Sequence, residues 1–412
     1  MKKARKKGDN YGQQKVAAAQ HRNEFITRLK YLVNSVSGDN TTDRLIPEPV
    51  YRQIYENRAR SIRITVGKQN SFCQAKFEEI KRLLVYLFKE VKLNFTSSGP
   101  LISVDQYFTA GQSLKHFINN LSDDYFPGAD VLKNKLSILI AGDEPKTEED
   151  IINDLSAKIS LILDLVILCY CDFRKLIIWT EKKIIKESSS DTEILQLEIN
   201  SYSPACLSFE KDGKKRLTYE VCWGHSSYGL IKLELPPELL GLPEDYNAPL
   251  PVYIQNHALS RLFERLDSVE EYFLLKYVFD SVSQCQFLKG DGSSLLIEFR
   301  LLDKKAGYLV AEVIKGKVLI ETFLFITNTG TPEGEKLARI TKLKKLDKKY
   351  LAIDKLSTFH YSDISVNKEV KQIFIDSGCG EVFEVDRNMI KKTENPKKPL
   401  AEKILSYMSR AT

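Results

Sequence analysis

One segment gathers the residue types that proton transfer and phosphate binding need: Asn256-His-Ala-Leu-Ser-Arg-Leu-Phe-Glu-Arg-Leu-Asp267. On an α-helix turning about 100° per residue, with His257 at zero, Arg261 falls near about 40°, Glu264 near about 340° and Arg265 near about 80°. Leu259, Leu262, Phe263 and Leu266 fall together on the other side, between about 140° and 240°. Metal-independent RNA cleavage asks for such a polar face. A base takes the 2′-hydroxyl proton, an acid protonates the leaving oxygen, and cations stabilise the charged phosphorane. Imidazole titrates near neutrality and serves in either proton role, which makes His257 the candidate catalytic acid/base. Guanidiniums hold phosphate oxygens bidentately, which makes Arg261 and Arg265 the candidate clamps. Glu264 is expected to pair with Arg261 and orient it beside the substrate. The plainer reading is a solvated helix face, on which that pair is worth a few tenths of a kcal/mol.

Downstream lies a second run of helical periodicity, Val269–Val282, and then three segments alternating with period 2: Ser294–Leu302, Tyr308–Ile314 and Val318–Thr327. The short links Asp303–Gly307 and Lys315-Gly316 require neighbouring strands to run antiparallel. Thr331-Pro-Glu-Gly334 reads as a turn. A basic stretch follows, with Arg339, Lys342, Lys344, Lys345, Lys348 and Lys349 opposed only by Asp347. Arg339, Lys342 and Lys345 join Thr322 and Glu264 as candidate substrate-binding residues.

The spacing His257-Ala-Leu-x-Arg261-x-x-x-Arg265, then a second helix and a small antiparallel sheet, resembles the bacterial toxin-type RNase superfamily that includes barnase, the colicin tRNases and RelE. The resemblance covers about 251–341, and is nearest to small members whose first helix opens with His-Ala-x-x-Arg-x-x-x-Arg. It implies an endoribonuclease or RNA-binding protein of toxin or defence type, with its site between the helices and one sheet face. It also implies Thr322 on a central strand, and RNA and a neutralising protein as partners. This chain departs from the pattern: Leu266 stands where those families turn with Gly, and His360 is the only later histidine. The alternative is a non-catalytic protein–protein interaction module that docks a partner through its N-terminal helices.

Other motifs carry less. No Gly-x-x-x-x-Gly-Lys-Ser/Thr, His-Glu-x-x-His or Gly-x-Ser-x-Gly occurs, which argues against ATPases, zinc peptidases and ordinary serine hydrolases. No cofactor and no metal is expected. Cys169-x-Cys171 lacks a second ligand pair. Cys222-Trp-Gly-His225 reads as a strand end and a turn. Asp245, Tyr246 and Asn247 are ordinary loop polarity in a Pro-rich stretch.

These residues need elements to position them. The chain has 412 residues, 43% hydrophobic and 28% charged, with 61 Lys+Arg against 55 Asp+Glu. Those are globular proportions, and a net charge of +6 marks no nucleic-acid binder by itself. The seven cysteines are irregularly spaced, which suits a reducing compartment. With no apolar leader and no bilayer-length run, the expectation is a cytoplasmic protein that does not enter a membrane.

The fold class expected is α+β: an N-terminal all-α domain, a β-rich connector and a C-terminal α+β domain with a small antiparallel sheet. In residues, 1–10 is a basic tail, 11–187 the helical domain, 194–250 the connector, 251–385 the α+β domain and 386–412 a second basic tail. Within this scheme Ser103 and Asp105 start a helix, and a long helix runs from Glu148 to about Lys186. Ile62–Val66 is left open as a strand. The polar stretch Lys186–Thr192 links two domains, and Lys211–Lys214 turns a hairpin. Pro236–Pro251 is a loop, Ile254–Asp267 is a helix, Gln372–Ile375 and Val382–Val385 are short strands, and Ala401–Met408 is an amphipathic helix.

Overall fold

Backbone proximity divides the chain into two units, Met1–Ile167 with Trp179–Asn200, and Leu168–Ile178 with Ser201–Thr412. The structure is a computed structural model, and it describes residues 2–58, 62–96, 100–140, 145–186, 193–211, 213–242, 248–284, 286–289, 294–391 and 399–411. The loop residues Asp245, Tyr246 and Asn247 and the stretch 187–192, expected as a link between two domains, lie outside them; the residues on both sides of 187–192 belong to one unit.

The first unit is built on helices α1 (Lys2–Ser37), α2 (Glu48–Glu56) and α3 (Gln74–Glu90), with strand β1 (Ile62–Val66) between the last two. Phe25, Leu29, Leu32 and Val33 bury one stripe of α1, and Phe77, Ile80, Leu84 and Phe88 bury one stripe of α3, at helical spacing. A hairpin of β2 (Lys92–Asn94) and β3 (Leu101–Ser103) follows. Ser103 then starts α4 (Val104–Gln106): its hydroxyl accepts from the Gln106 backbone and Gln106 returns the bond, a capping box. A π-helical turn leads into α5 (Gln112–Asn119). Helices α6 (Ala129–Lys135) and α7 (Pro145–Tyr170) and strands β4 (Ile177–Lys186) and β5 (Glu193–Tyr202) complete this half.

Two expectations are corrected here. Residues 11–187 are not all-α: β1 pairs in parallel with β5, Ile62 opposite Leu195 through Val66 opposite Ile199, in a sheet of order β1-β5-β4. The helix expected from Glu148 to about Lys186 stops at Tyr170. Ile177-Ile178-Trp179-Thr180 is β-branched and aromatic and fully interior, which suits a strand better than a helix. The first basic residues are the opening turns of α1.

The second unit is organised by one sheet. Its strands are β6 (Cys206–Lys211), β7 (Lys214–Glu220), β10 (Glu234–Leu235), β11 (Leu250–Gln255), β12 (Phe287–Lys289), β13 (Leu295–Leu301), β14 (Lys304–Ile314) and β15 (Lys317–Phe325), in the order β12-β13-β14-β15-β11-β7-β6 with β10 beside β11. A separate hairpin joins β8 (Cys222–His225) to β9 (Gly229–Lys232). The sheet is neither small nor wholly antiparallel. Eight strands take part, and β11 runs parallel to β15 with Val252 opposite Val318. Segment 206–220, expected in a connector, belongs to this sheet through the pairing of β7 with β11. The Lys315-Gly316 turn has both residues at positive φ, 49° and 70°, the conformation that fits a two-residue hairpin to twisted strands.

Helices α8 (Asn256–Arg265) and α9 (Glu271–Gln284) pack on the sheet, α8 on β15 and α9 on β13. After β15 come α10 (Pro332–Thr341), α11 (Lys345–Tyr350), α12 (Leu356–Tyr361), α13 (Lys368–Asp376) and α14 (Ala401–Ala411). Thr331-Pro-Glu-Gly334 is therefore a helix start. The Thr331 hydroxyl accepts from the Gly334 amide, and Pro332 sits in the first turn. Ile254 and Gln255, expected at the head of a helix, end a strand. Gln372–Ile375 lies in α13, and Val382–Val385 falls in and just after a 3₁₀ turn. Both were expected as strands. Asn367 caps α13, and Phe374 and Phe383 pack with Phe359, so ring packing decides their form. The amphipathic helix near the C-terminus is present. Its first turn is tied to Asp363, and Ala401 and Ile404 are buried, so this part of the basic tail is packed.

Burial first, and then the Arg387 charge, push the His360 imidazole below its ordinary value, with a hydrogen bond to the Val382 backbone opposing. The unfolded chain therefore binds more protons than the folded one across the window below about pH 6.5. Stability rises with pH through that window and is lost on acidification. His360→Gln should flatten the fall in Tm between about pH 7.5 and pH 5 relative to the parent, a difference that thermal melts of both proteins across that range will read.

Candidate functional site

Helix α8 begins where β11 ends and lies over β15. Its apolar face is the expected one, with Ala258, Leu259 and Leu262 buried and Leu266 just beyond. Phe263 is partly covered by the Arg174 guanidinium, 5.4 Å from the ring centroid. The polar face is left for Arg261, Glu264 and Arg265.

These three residues form one wall of a cleft of about 340 Å³. Its floor is the β15 segment Thr322–Leu324 with Asn328 and Thr329, and its other wall is Lys345, Leu346, Lys348, Lys349 and Asp354. Five of the lining side chains are cationic and two are anionic, so the cleft is basic. A β-bulge lies at its edge. Val310 pairs with Thr322 but Ala311 pairs with Ile320, leaving Glu321 as the extra residue. A bulge re-aims the side chains beside it, and here it precedes Thr322.

Arg261 Nη1 donates to Glu264 Oε2 at 2.6 Å, the orienting pair expected from the sequence. Burial pushes the Glu264 carboxyl up, while the Arg261 hydrogen bond and charge pull it down and prevail. Arg265 sits deeper. Its Nη1 lies 3.4 Å from Asp354 Oδ2, with both side chains mostly covered. Nevertheless Arg265 Nε and Nη1, and Asn328 Oδ1, are enclosed without a hydrogen-bond partner. Enclosed polar atoms without hydrogen bonds are costly, and here they belong to residues that line one cleft.

Lys348 is cationic but committed to the fold. Its ammonium is buried and donates to the Thr327 carbonyl at 2.9 Å and the Gly334 carbonyl at 2.8 Å. Burial lowers its proton affinity, with the Glu335 charge opposing. Lys345 and Lys349 are exposed on the same helix and present free-reaching charges.

The structure thus brings Arg261, Glu264, Arg265, Thr322 and Lys345 into one cleft and leaves His257, Arg339 and Lys342 out of its lining. His257 is exposed in the first turn of α8. Its neighbour Gln255 accepts from Arg216. Partial burial, then the Arg261 and Arg216 charges, hold its imidazole below the ordinary value, with Glu264 opposing. Arg339 is exposed in the last turn of α10, and Lys342 closes that helix at φ 59°. Sequence reasoning missed Asn328, Leu346 and Asp354. Leu346 carried a signal, as an apolar residue alone in a basic run. Asp354 carried none.

The remaining clusters have structural roles. Cys222 is buried and its thiol is pushed up by that burial, while His225 Nδ1 accepts from the Ser227 backbone. Among the described residues no three His, Cys, Asp or Glu side chains gather as metal ligands would, and no helix is long and apolar enough to cross a membrane. In comparisons with protein-family models, curated proteins and solved structures, nothing matches this chain.

Lys348→Met should keep the packed stem, lose both carbonyl bonds and cost about 1–3 kcal/mol. Lys345→Met, on the exposed side, should stay within about 0.5 kcal/mol of the parent. Urea denaturation of both variants measures the contrast.

Proposed function

We propose that the second unit binds RNA through its sugar–phosphate backbone at the basic cleft. The observation that carries this is the gathering of Arg261 and Arg265 with Lys345 and Lys349 around one cleft of about 340 Å³. Guanidiniums supply planar, bidentate donors for phosphate, and ammoniums supply mobile point charge. Arg339 near the end of α10, and Lys342 and Lys344 between α10 and α11, are exposed cations in the same stretch of chain. A polyanion can follow a band of charge, whereas a small phosphate ester needs only the pocket.

Binding is better supported than cleavage. A catalytic base must reach the proton it abstracts. His257 and Arg265 are eight positions apart, about 12 Å along the helix axis, and His257 is absent from the lining. The RNase-type resemblance therefore contributes the polymer and the clamping arginines, and leaves the acid/base role of His257 as its weakest member. The toxin or defence setting rests on that resemblance alone.

The test uses the full-length protein and a fluorescent single-stranded RNA of about 12 nucleotides. Affinity should fall with salt, and replacing Arg261, Lys345 and Lys349 by Ala together should weaken it and lower the log–log salt slope by about 0.7 for each cation lost. The triple variant should remain folded. An unchanged slope, or no binding by the parent, overturns the reading. RNA integrity is followed in the same samples. Fragmentation that His257→Ala abolishes would promote the chain from binder to RNase.

A further inference from the structure

We infer that the cleft admits one unpaired nucleotide, with Leu346 as the apolar contact for its base, so that the protein discriminates single-stranded from double-stranded RNA; this rests on the RNA-binding reading above. Size is the first support. About 340 Å³ lies at the small end of the roughly 300–1,000 Å³ of small-ligand sites. A duplex does not enter such a space. Paired RNA is gripped across wide, shallow minor grooves over about 16 base pairs, while unpaired bases are splayed out and covered by side chains.

The second support is the placing of polar and apolar groups. Leu346 is 79% exposed and lines the cleft, on a helix that also carries Lys345, Lys348 and Lys349. Its isobutyl group meets water, and nothing in its own packing requires a large hydrophobe there. An apolar rim residue among phosphate-reaching cations is what a base face covers well. The third support is polar. Arg265 in the wall and Asn328 in the floor line the cleft, and Arg265 Nε and the Asn328 carboxamide oxygen are enclosed without hydrogen-bond partners, so unspent donor and acceptor capacity for one nucleotide lies just beneath the cleft surface. A phosphate flanked by Arg261, Arg265, Lys345 and Lys349 would carry its base between Leu346 and the Thr322–Leu324 segment.

The experiment compares three full-length proteins, the parent, Leu346→Ser and Leu346→Met, on one RNA sequence as a single strand and as a blunt duplex. The parent should bind the single strand at least about tenfold more tightly. Leu346→Ser should weaken single-strand binding about three- to tenfold without changing its salt slope, leave duplex binding unchanged, and be rescued by Leu346→Met. Leu346 is exposed, so its replacement leaves the fold intact, and circular dichroism checks this. Equal affinity for the two RNAs, or an indifferent Leu346→Ser, overturns this inference and leaves the phosphate-binding reading standing. Failure of the parent to bind either RNA overturns both.

Discussion

A buried ammonium holds the cleft in shape. Lys348 places its charge inside the protein, where an unpaired ion would cost several kcal/mol. It is tolerated because two backbone carbonyls, Thr327 at the end of β15 and Gly334 at the start of α10, receive its protons. The same junction is pinned by the Thr331 hydroxyl, which donates toward the Ile326 and Asn328 carbonyls. Gly334 has to be glycine, since a Cβ there would fall 1.8 Å from the Asn328 carbonyl oxygen. Helix α11 is thereby fastened to the strand that forms the cleft floor. With Lys348 facing in, its neighbours Lys345, Leu346 and Lys349 stand exposed on the outer side.

The opposite wall has a separate origin. Strand β11 lies beside β15 and parallel to it, and α8 follows β11 without a loop, so the helix falls across β15. Arg261 and Arg265 then face the residues that follow the same strand. An ionic cluster steadies the start of α10 from the other side. Lys305 Nζ lies 2.7 Å from Glu333 and 3.4 Å from Glu298, and the Tyr308 hydroxyl donates to Glu333. The cleft is therefore bounded by two walls that are each anchored on β15 and its immediate neighbours, and its width is set by packing rather than by loop closure.

The sequence was most informative where side-chain periodicity matched a single element. The apolar face of α8, the Arg261–Glu264 pair, the β13–β14–β15 succession and the Ser103 helix start were all readable from spacing. It was least informative where tertiary contacts outweighed local pattern. Ile177–Lys186 continues an apolar run that looks helical until β5 pairs with it. β11 is hidden because Pro251 stands near its start and a Pro-rich loop precedes it. The short apolar segments around Phe374 and Phe383 alternate like strands, and packing on Phe359 makes them helical turns. Within the cleft, the three residues of α8 were legible as one face. Their meeting with Lys345 and Thr322 depends on the order of strands, which spacing does not encode. The inward turn of Lys348 depends on carbonyls far away in sequence.

The charge states in the cleft bear on what it can do. Its lining includes no histidine. The hydrogen bond and charge of Arg261 hold Glu264 in its ionised form against the opposing effect of burial. Asp354 sits near Arg265 without a well-formed hydrogen bond, so it offsets part of the charge and leaves guanidinium donors unspent. A site made of such groups attracts phosphate with little dependence on pH near neutrality. It does not contain the proton donor and acceptor of intermediate pKa that general acid–base catalysis requires. His257 is the one group of that kind on α8, and the neighbouring guanidiniums of Arg261 and Arg216 favour its neutral form. A neutral imidazole can accept a proton, but no second histidine stands among the described residues of the cleft lining, which favours the proposed phosphate binding over cleavage.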